Sequence, residues 1–335
     1  MSSGTCNRIP ILSLFCGAGG LDLGFNQVGF RTVLAIDKDE AAVRSYNANS
    51  EQPVAVKLDL SRLNAKRILS RLSDTLPVGV IGGPPCQGFS RGNVLADPSD
   101  QRNRLPFAYS RILEQLQERF PIDFFVFENV AGLLARKHKD RWDDIQQRFR
   151  SIGFTLFTRV LDAQDYGTPQ SRSRLFLIGV HSRLALQKFK FPRKSHNIRT
   201  VADGIAHLPE PTYFRRGISA DDIAFHPNHW TTMPKSARFI SQEFNRWRSF
   251  RRLLWNLPSP TVAYGNREIH IHPNGKRRLS ILEAMLLQGF PESYRLMGNL
   301  SEQVTQVCNA VPPPVARALA RSIRSNLSYD STGAP

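Results

Sequence analysis

Between residues 9 and 181 short apolar runs alternate with amphipathic segments, and this alternation constrains the fold more than any other feature of the chain. The runs are "PILSLF" (10–15), "RTVLAI" (31–36), "VAVKL" (54–58), "VGVIGG" (78–83), "DFFVFEN" (123–129), "FTLFTRVL" (154–161) and "RLFLIGV" (174–180). Between them, "LDLGFNQVG", "EAAVRSYNAN", "SRLNAKRILSRL", "LPFAYSRILEQLQERF" and "DRWDDIQQRFRSIG" carry apolar residues at helical spacing. Strands separated in this way by helices predict an α/β fold, a doubly wound, mostly parallel sheet covered on both faces.

From about residue 190 the pattern breaks into proline-rich, basic, weakly periodic sequence, which predicts a second, smaller and more irregular domain over 191–278 beside a sheet domain over 1–190. Regularity resumes at "RLSILEAMLLQGF", where Ser280 and Glu283 have capping-box spacing. A last helix is expected after three consecutive prolines in "PPPVARALARSIRSNL". Residues 279–326 are therefore read as a C-terminal segment returning to the sheet, and 327–335 as a disordered tail.

Charge narrows the partners. The 45 Lys and Arg against 28 Asp and Glu give a net charge of +17, which favours a polyanion, since each neutralised phosphate releases counterions. A basic surface kept for solubility is the alternative. Residues 235–278 hold ten of the cations and two acids, and "RWRSFRR" (246–252) sets aromatics among them, so nucleic acid is the first candidate. The four cysteines, Cys6, Cys16, Cys86 and Cys308, form no CxxC pair, which suggests neither a zinc site nor a disulfide framework. The opening "MSSGTCNRIPILSLF" lacks a secretory pattern and no apolar run reaches transmembrane length, so a cytoplasmic protein is expected.

Five motifs fall at strand ends, where ligands bind in sheets of this kind, and a sixth precedes a strand. In "LFCGAGGLDLGF" (14–25) Gly17, Gly19 and Gly20 lie between a strand end and a helix start, without the spacing of a dinucleotide fingerprint or a P-loop. Asp37 in "LAIDKD" and Asp59 in "KLDLS" end the next two strands, placed to take ribose hydroxyls and an adenine amine, although most such Asp residues are helix caps. Cys86 follows Pro84 and Pro85, whose rings fix the backbone that carries its thiol, although a lone cysteine is more often buried and inert. Glu128 closes the apolar run of "FVFENV", so partial desolvation should raise its pKa. In "DYGTPQSRSRLFLIG", Gln170, Arg172 and Arg174 alternate, and in an extended segment all three face one side.

Taken in order, "FCGAGG", "GGPPCQGFS", "DQRNRLPF", "FENV", "QSRSR", "RRLSILEAMLLQGFP" and "NAVPPPVARAL" resemble the blocks of the DNA (cytosine-5) methyltransferases over about residues 9–325, leaving roughly 190–260 as that family's variable region. The resemblance implies a class I, Rossmann-like methyltransferase that uses S-adenosylmethionine, releases S-adenosylhomocysteine and needs no metal. It implies Cys86 as nucleophile, Glu128 as the residue gripping N3 and the exocyclic amine of cytosine, and Arg172 and Arg174 flanking the base and its phosphate. Phe15, Gly17, Ala18, Gly19, Gly20, Asp37, Lys38, Asp59, Leu60, Pro84 and Asn309 would form the cofactor cradle. Gln87, Ser90 and Gln170, with Arg246, Arg248, Arg251 and Arg252 of a target-recognition domain, would meet duplex DNA. Lys38 and Cys308 depart from the pattern, standing where some members have an aromatic residue and where Gly is common. The implied partners are duplex DNA and a separately acting restriction endonuclease, the implied state a monomer. Two alternatives stay open: a tRNA cytosine methyltransferase, disfavoured by the lack of a Cys-Phe-Thr signature, and a catalytically silent DNA-binding regulator.

Overall fold

The structure, a computed structural model, describes residues 8–72, 75–85, 104–234, 237–241, 251–261 and 270–329. The seven runs become β1 (Ile9–Leu14), β2 (Phe30–Asp37), β3 (Ala55–Lys57), β4 (Gly79–Gly82), β5 (Phe124–Val130), β6 (Phe154–Asp162) and β7 (Ser173–His181). They form one sheet in the order β3-β2-β1-β4-β5-β7-β6. The first five are parallel; β7 runs antiparallel between β5 and β6. Helices α1 (Gly20–Asn26), α2 (Glu40–Ala48), α3 (Ala65–Leu69), α4 (Leu105–Gln117) and α5 (Lys139–Ser151) fill the connections.

Because side chains alternate along a strand, each strand feeds two cores. Phe125 and Phe127 of β5 join Leu12, Leu14, Leu34, Tyr109 and Phe149 on one face. Phe124 and Val126 join Ile9, Ile11, Phe25, Phe30 and Ile178 on the other. Phe125 stacks on Phe149 with centroids 4.2 Å apart, and the Tyr109 hydroxyl lies 3.0 Å from the carbonyls of both Val80 and Val126, so the one polar group in that aromatic cluster is satisfied.

Beyond the sheet lie α6 (Val201–Ile205), the two-stranded β8 (Thr212–Tyr213) and β9 (Trp230–Thr231), α7 (Ala237–Ile240), α8 (Ile281–Leu287), α9 (Leu300–Asn309) and α10 (Pro313–Asn326). Ser280 and Glu283 make the capping box that opens α8. A third core joins Val201, Trp230 and Leu253 to Leu279, Ile281, Met285 and Val307, so α8 and α9 share apolar packing with the irregular region. Helix α10 instead lies on α1: a Cβ at Gly24 would fall 2.5 Å from the Ala316 Cβ, and Val315, Leu319 and Ile323 complete the second face of the sheet. The expected disordered tail is corrected at its start: Tyr329 is buried and its hydroxyl donates to Asp123 at 2.7 Å, an aromatic anchor that composition alone hides.

Candidate active site

The carboxyl ends of β1 and β2 build one half of the site. Phe15 and Gly17 both take positive φ, 56° and 53°, which turns the chain sharply as it leaves β1. The Gly17 N–H donates to the Asp37 Oδ2 at 2.9 Å, and the Asp39 N–H to Oδ1 at 2.9 Å. Burial pushes the Asp37 carboxyl above its usual range, with those two N–H groups opposing. Nothing lies within 4 Å of where a Cβ would stand at Gly17, so open space borders a carboxylate whose remaining lone pairs can accept hydroxyls. That acceptor fits the hydroxyls of a ribose. Lys38 and Asp59 are exposed beside it, Asp59 accepting the Ser61 N–H at 2.9 Å, whereas the Leu60 side chain is buried in the core.

Ala18 and Gly20 serve the packing beneath this cradle. The Tyr294 hydroxyl donates to the Ala18 carbonyl, and a Cβ at Gly20 would sit 2.3 Å from the Val311 carbonyl oxygen. A Cβ at Gly19 would press on the Tyr46 ring at 2.8 Å. Below lies Asp22, fully buried, accepting from Ser13 at 2.9 Å, Thr32 at 3.0 Å and Tyr46 at 3.0 Å; burial pushes its carboxyl up to about 6. Asn309 ends α9 and is exposed.

The ends of β4, β5 and β7 build the other half. Glu128 is buried, and desolvation raises its pKa while Arg174 and Arg172 oppose the rise. The Arg174 Nε stands 3.2 Å from the Glu128 Oε1. Arg172, only 2 % exposed, reaches the Cys308 carbonyl through Nη2 at 2.5 Å. Gln170 lies in the interior, bridged to Ser259, rather than on the surface where a DNA contact would need it. Arg251 and Arg252 are exposed, with the Arg252 Nε donating to the Pro273 carbonyl at 2.8 Å. Cys86, Gln87, Ser90, Arg246 and Arg248 lie outside the described residues.

Several supporting residues carry no sequence signal of their own. A Cβ at Gly83 would fall 2.6 Å from the Glu128 Oε2, so this glycine leaves the room the carboxylate occupies. The Asn129 Nδ2 donates to the Pro84 carbonyl at 3.2 Å and ties the start of the Pro-Cys loop to β5. Asp162 accepts from four donors around the arginine segment. The S-x-S interleaved with R-x-R was the available hint, since two hydroxyls on one side of a strand call for an acceptor.

A sheet of this order, with a glycine turn and a carboxylate at adjacent strand ends and a buried Glu held by an Arg further along the same edge, is the framework of a class I methyltransferase. The chain belongs to the C-5 cytosine-specific DNA methylase family, which matches it over residues 9–325. The Type II methyltransferase M.FnuDI of Fusobacterium nucleatum is 33% identical over 348 residues, covering 96% of this chain and 95% of its own length. M.MthTI of Methanothermobacter thermautotrophicus is 33% identical over 345 residues, covering 96% and 98%. A putative DNA modification methyltransferase encoded within an E. coli prophage superposes with a TM-score of 0.77 at 25% identity, over 96% of this chain and all of its own. The S. pombe Dnmt2 methyltransferase shares the fold at a TM-score of 0.65 and 18% identity, over 94% and 98% of the two chains. Among the described residues no helix is long and apolar enough to cross a membrane, and no group of three or more His, Cys, Asp or Glu could hold a metal ion.

Proposed function

We propose that the protein transfers a methyl group from S-adenosylmethionine to carbon 5 of a cytosine flipped out of a specific duplex sequence, as the modification enzyme of a Type II system. The contact of buried Glu128 with half-buried Arg174 carries this reading. S-adenosylmethionine supplies an electrophilic methyl group, and Asp37 with the open backbone at Gly17 is the place to hold its ribose.

Carbon 5 of cytosine is a weak nucleophile. The Cys86 thiolate adds to carbon 6, forming an S–C6 bond and moving ring electron density to carbon 5, which takes the methyl group. Glu128, whose pKa burial raises, donates a proton to N3 and offsets the charge that builds there. Arg174 holds the carboxyl in place from 3.2 Å. Loss of the carbon 5 proton to a base then returns the electron pair, breaks the S–C6 bond and frees Cys86. A base within the stack cannot be attacked from above its plane, so it must be extruded at a cost of a few kcal/mol. The basic region over 191–278, with Arg246, Arg248, Arg251 and Arg252, is the part to hold the duplex and read it.

Labelled S-adenosylmethionine with mixed-sequence duplex should yield 5-methylcytosine, and tRNA should not. Duplex bearing 5-fluorocytosine, which cannot lose a proton from carbon 5, should trap a covalent adduct at Cys86. An active protein that forms no such adduct would overturn the mechanism.

A further inference from the structure

We infer that Asp162 is a positioning residue that sets the register of the Arg172–Arg174 segment, an inference that rests on the methyl-transfer reading above. Asp162 is the last residue of β6 and pairs with Ser173 of β7. Its Oδ1 accepts the Arg172 N–H at 3.0 Å and the Gln164 N–H at 3.2 Å. Its Oδ2 accepts the hydroxyls of Ser173 at 2.7 Å and Ser171 at 3.2 Å. A carboxylate that only capped the short turn after β6 would need the Gln164 N–H alone; the other three donors all belong to the arginine segment.

The geometry of those donors fixes which way the arginines point. Ser171 and Ser173 both turn toward Asp162, so their neighbours in an extended chain turn away from it, where Arg172 meets the Cys308 carbonyl and Arg174 meets Glu128. A slip of one residue would bring serines to Glu128 in place of arginine. The same residue, Ser171, is also held by the irregular region: its N–H donates to the Ser259 carbonyl at 2.8 Å, and its carbonyl accepts the Thr261 hydroxyl at 2.8 Å. Asp162 therefore adds a side-chain anchor on the sheet side, next to the β5–β7–β6 ladder and the Ala163 N–H bond to the Arg172 carbonyl, for a segment whose other end is held by the irregular region.

The test compares Asp162→Ala, Asp162→Asn and the double variant Ser171→Ala/Ser173→Ala. The readouts are single-turnover methylation on duplex DNA, KM for DNA, thermal midpoint, and the active fraction titrated with 5-fluorocytosine duplex. Asp162→Ala should lower the single-turnover rate tenfold or more per active molecule, with KM for DNA within twofold. Asp162→Asn keeps one acceptor oxygen for the Arg172 N–H and places an NH2 donor at the other position, toward which the serine hydroxyls can rotate to accept, and should stay within threefold of the parent. The serine double variant, which keeps the carboxylate and the Arg172 N–H bond, should fall between the two. The inference is overturned if Asp162→Ala keeps the parental rate, if its loss is accounted for by a smaller active fraction, or if Asp162→Asn is as slow as Asp162→Ala, which would make charge rather than geometry the cause. A parent protein without methylating activity would instead refute the functional reading.

Discussion

The sheet and the irregular region beside it are held together by different forces. In the sheet, β5 alone buries Phe124, Phe125, Val126 and Phe127 completely, and cohesion comes from apolar packing on two faces. The region around 200–280 adds to its share of the third apolar core a set of buried polar contacts. Arg277 makes two 2.8 Å bonds to the Glu283 carboxylate and a third contact through Nε to Glu210 at 2.8 Å. His229 bridges the Ser280 hydroxyl and the Pro209 carbonyl, Asn228 pairs with the Leu296 backbone, and Trp230 donates to Gln303. Apolar burial tolerates any arrangement of about the right volume, whereas charge pairs and hydrogen bonds reward one geometry. Under the proposed function, a surface that presents side chains to a duplex without the help of regular elements gains its shape from the second kind.

Breaking the polar staple should have the largest effect. Arg277→Ala strands a fully buried Glu283 and should cost about 3–5 kcal/mol, read as early loss of protection in hydrogen exchange over residues 270–283 while β5 and β7 stay protected. Replacing the pair together, Arg277→Met with Glu283→Leu, should recover much of that loss; uniform loss of protection across the sheet would show that the two regions do not differ as described.

Next in size is the chemistry at the sheet edge. Glu128→Gln should lower the methylation rate by roughly 10²–10³-fold with little change in thermal midpoint, because the amide fills the same space but cannot deliver a proton to N3. In the parent, activity should decline as pH rises through the raised pKa of Glu128, and this limb should vanish in the variant.

Asp22 is the counterexample within the sheet half, a polar group in an apolar setting. Its folded pKa of about 6 lies above the ordinary 3.8, so the protonated form is favoured by folding, and the stability it contributes is present below pH 3.8 and lost as pH rises through 6. Relative to Asp22→Asn, which does not titrate, the parent should lose roughly 3 kcal/mol between those limits, measured by denaturant unfolding at each pH. A pH-independent difference between the two proteins would mean that the carboxylate is not desolvated.

The smallest effect is expected at Gly83. Gly83→Ala places a methyl 2.6 Å from the Glu128 Oε2 and should slow methylation about tenfold by displacing the carboxyl, with KM for S-adenosylmethionine unchanged.

What the sequence disclosed follows the same division. The central strands were legible because a strand buried on both faces is written as a nearly uninterrupted apolar run, whereas the edge strands β3 and β6 keep exposed polar residues within shorter apolar stretches, and the interposed helices keep their period. Glu128 and the two arginines were legible because charges at the ends of such runs are anomalies. Helices α6 and α9 were not, since each is short or largely polar and is fixed by contacts with distant chain. Nor were Gly83, Asn129 and Asp162 legible as parts of the site, because their roles are relations between segments: the clearance Gly83 gives Glu128, 45 residues away, and the grip of Asp162 on Ser171 and Ser173, nine and eleven residues further on.

Helix α10 covers the face of α1 and β1 that opens the fold, so residues near 9–25 wait for residues near 315–323 before their apolar surface is closed off. On the ribosome, at roughly 5–20 residues per second, that wait lasts on the order of tens of seconds, during which the nascent sheet exposes one oily flank. The length of that interval makes the growing polypeptide a natural client for chaperones that shield such surfaces until synthesis has passed the final helix.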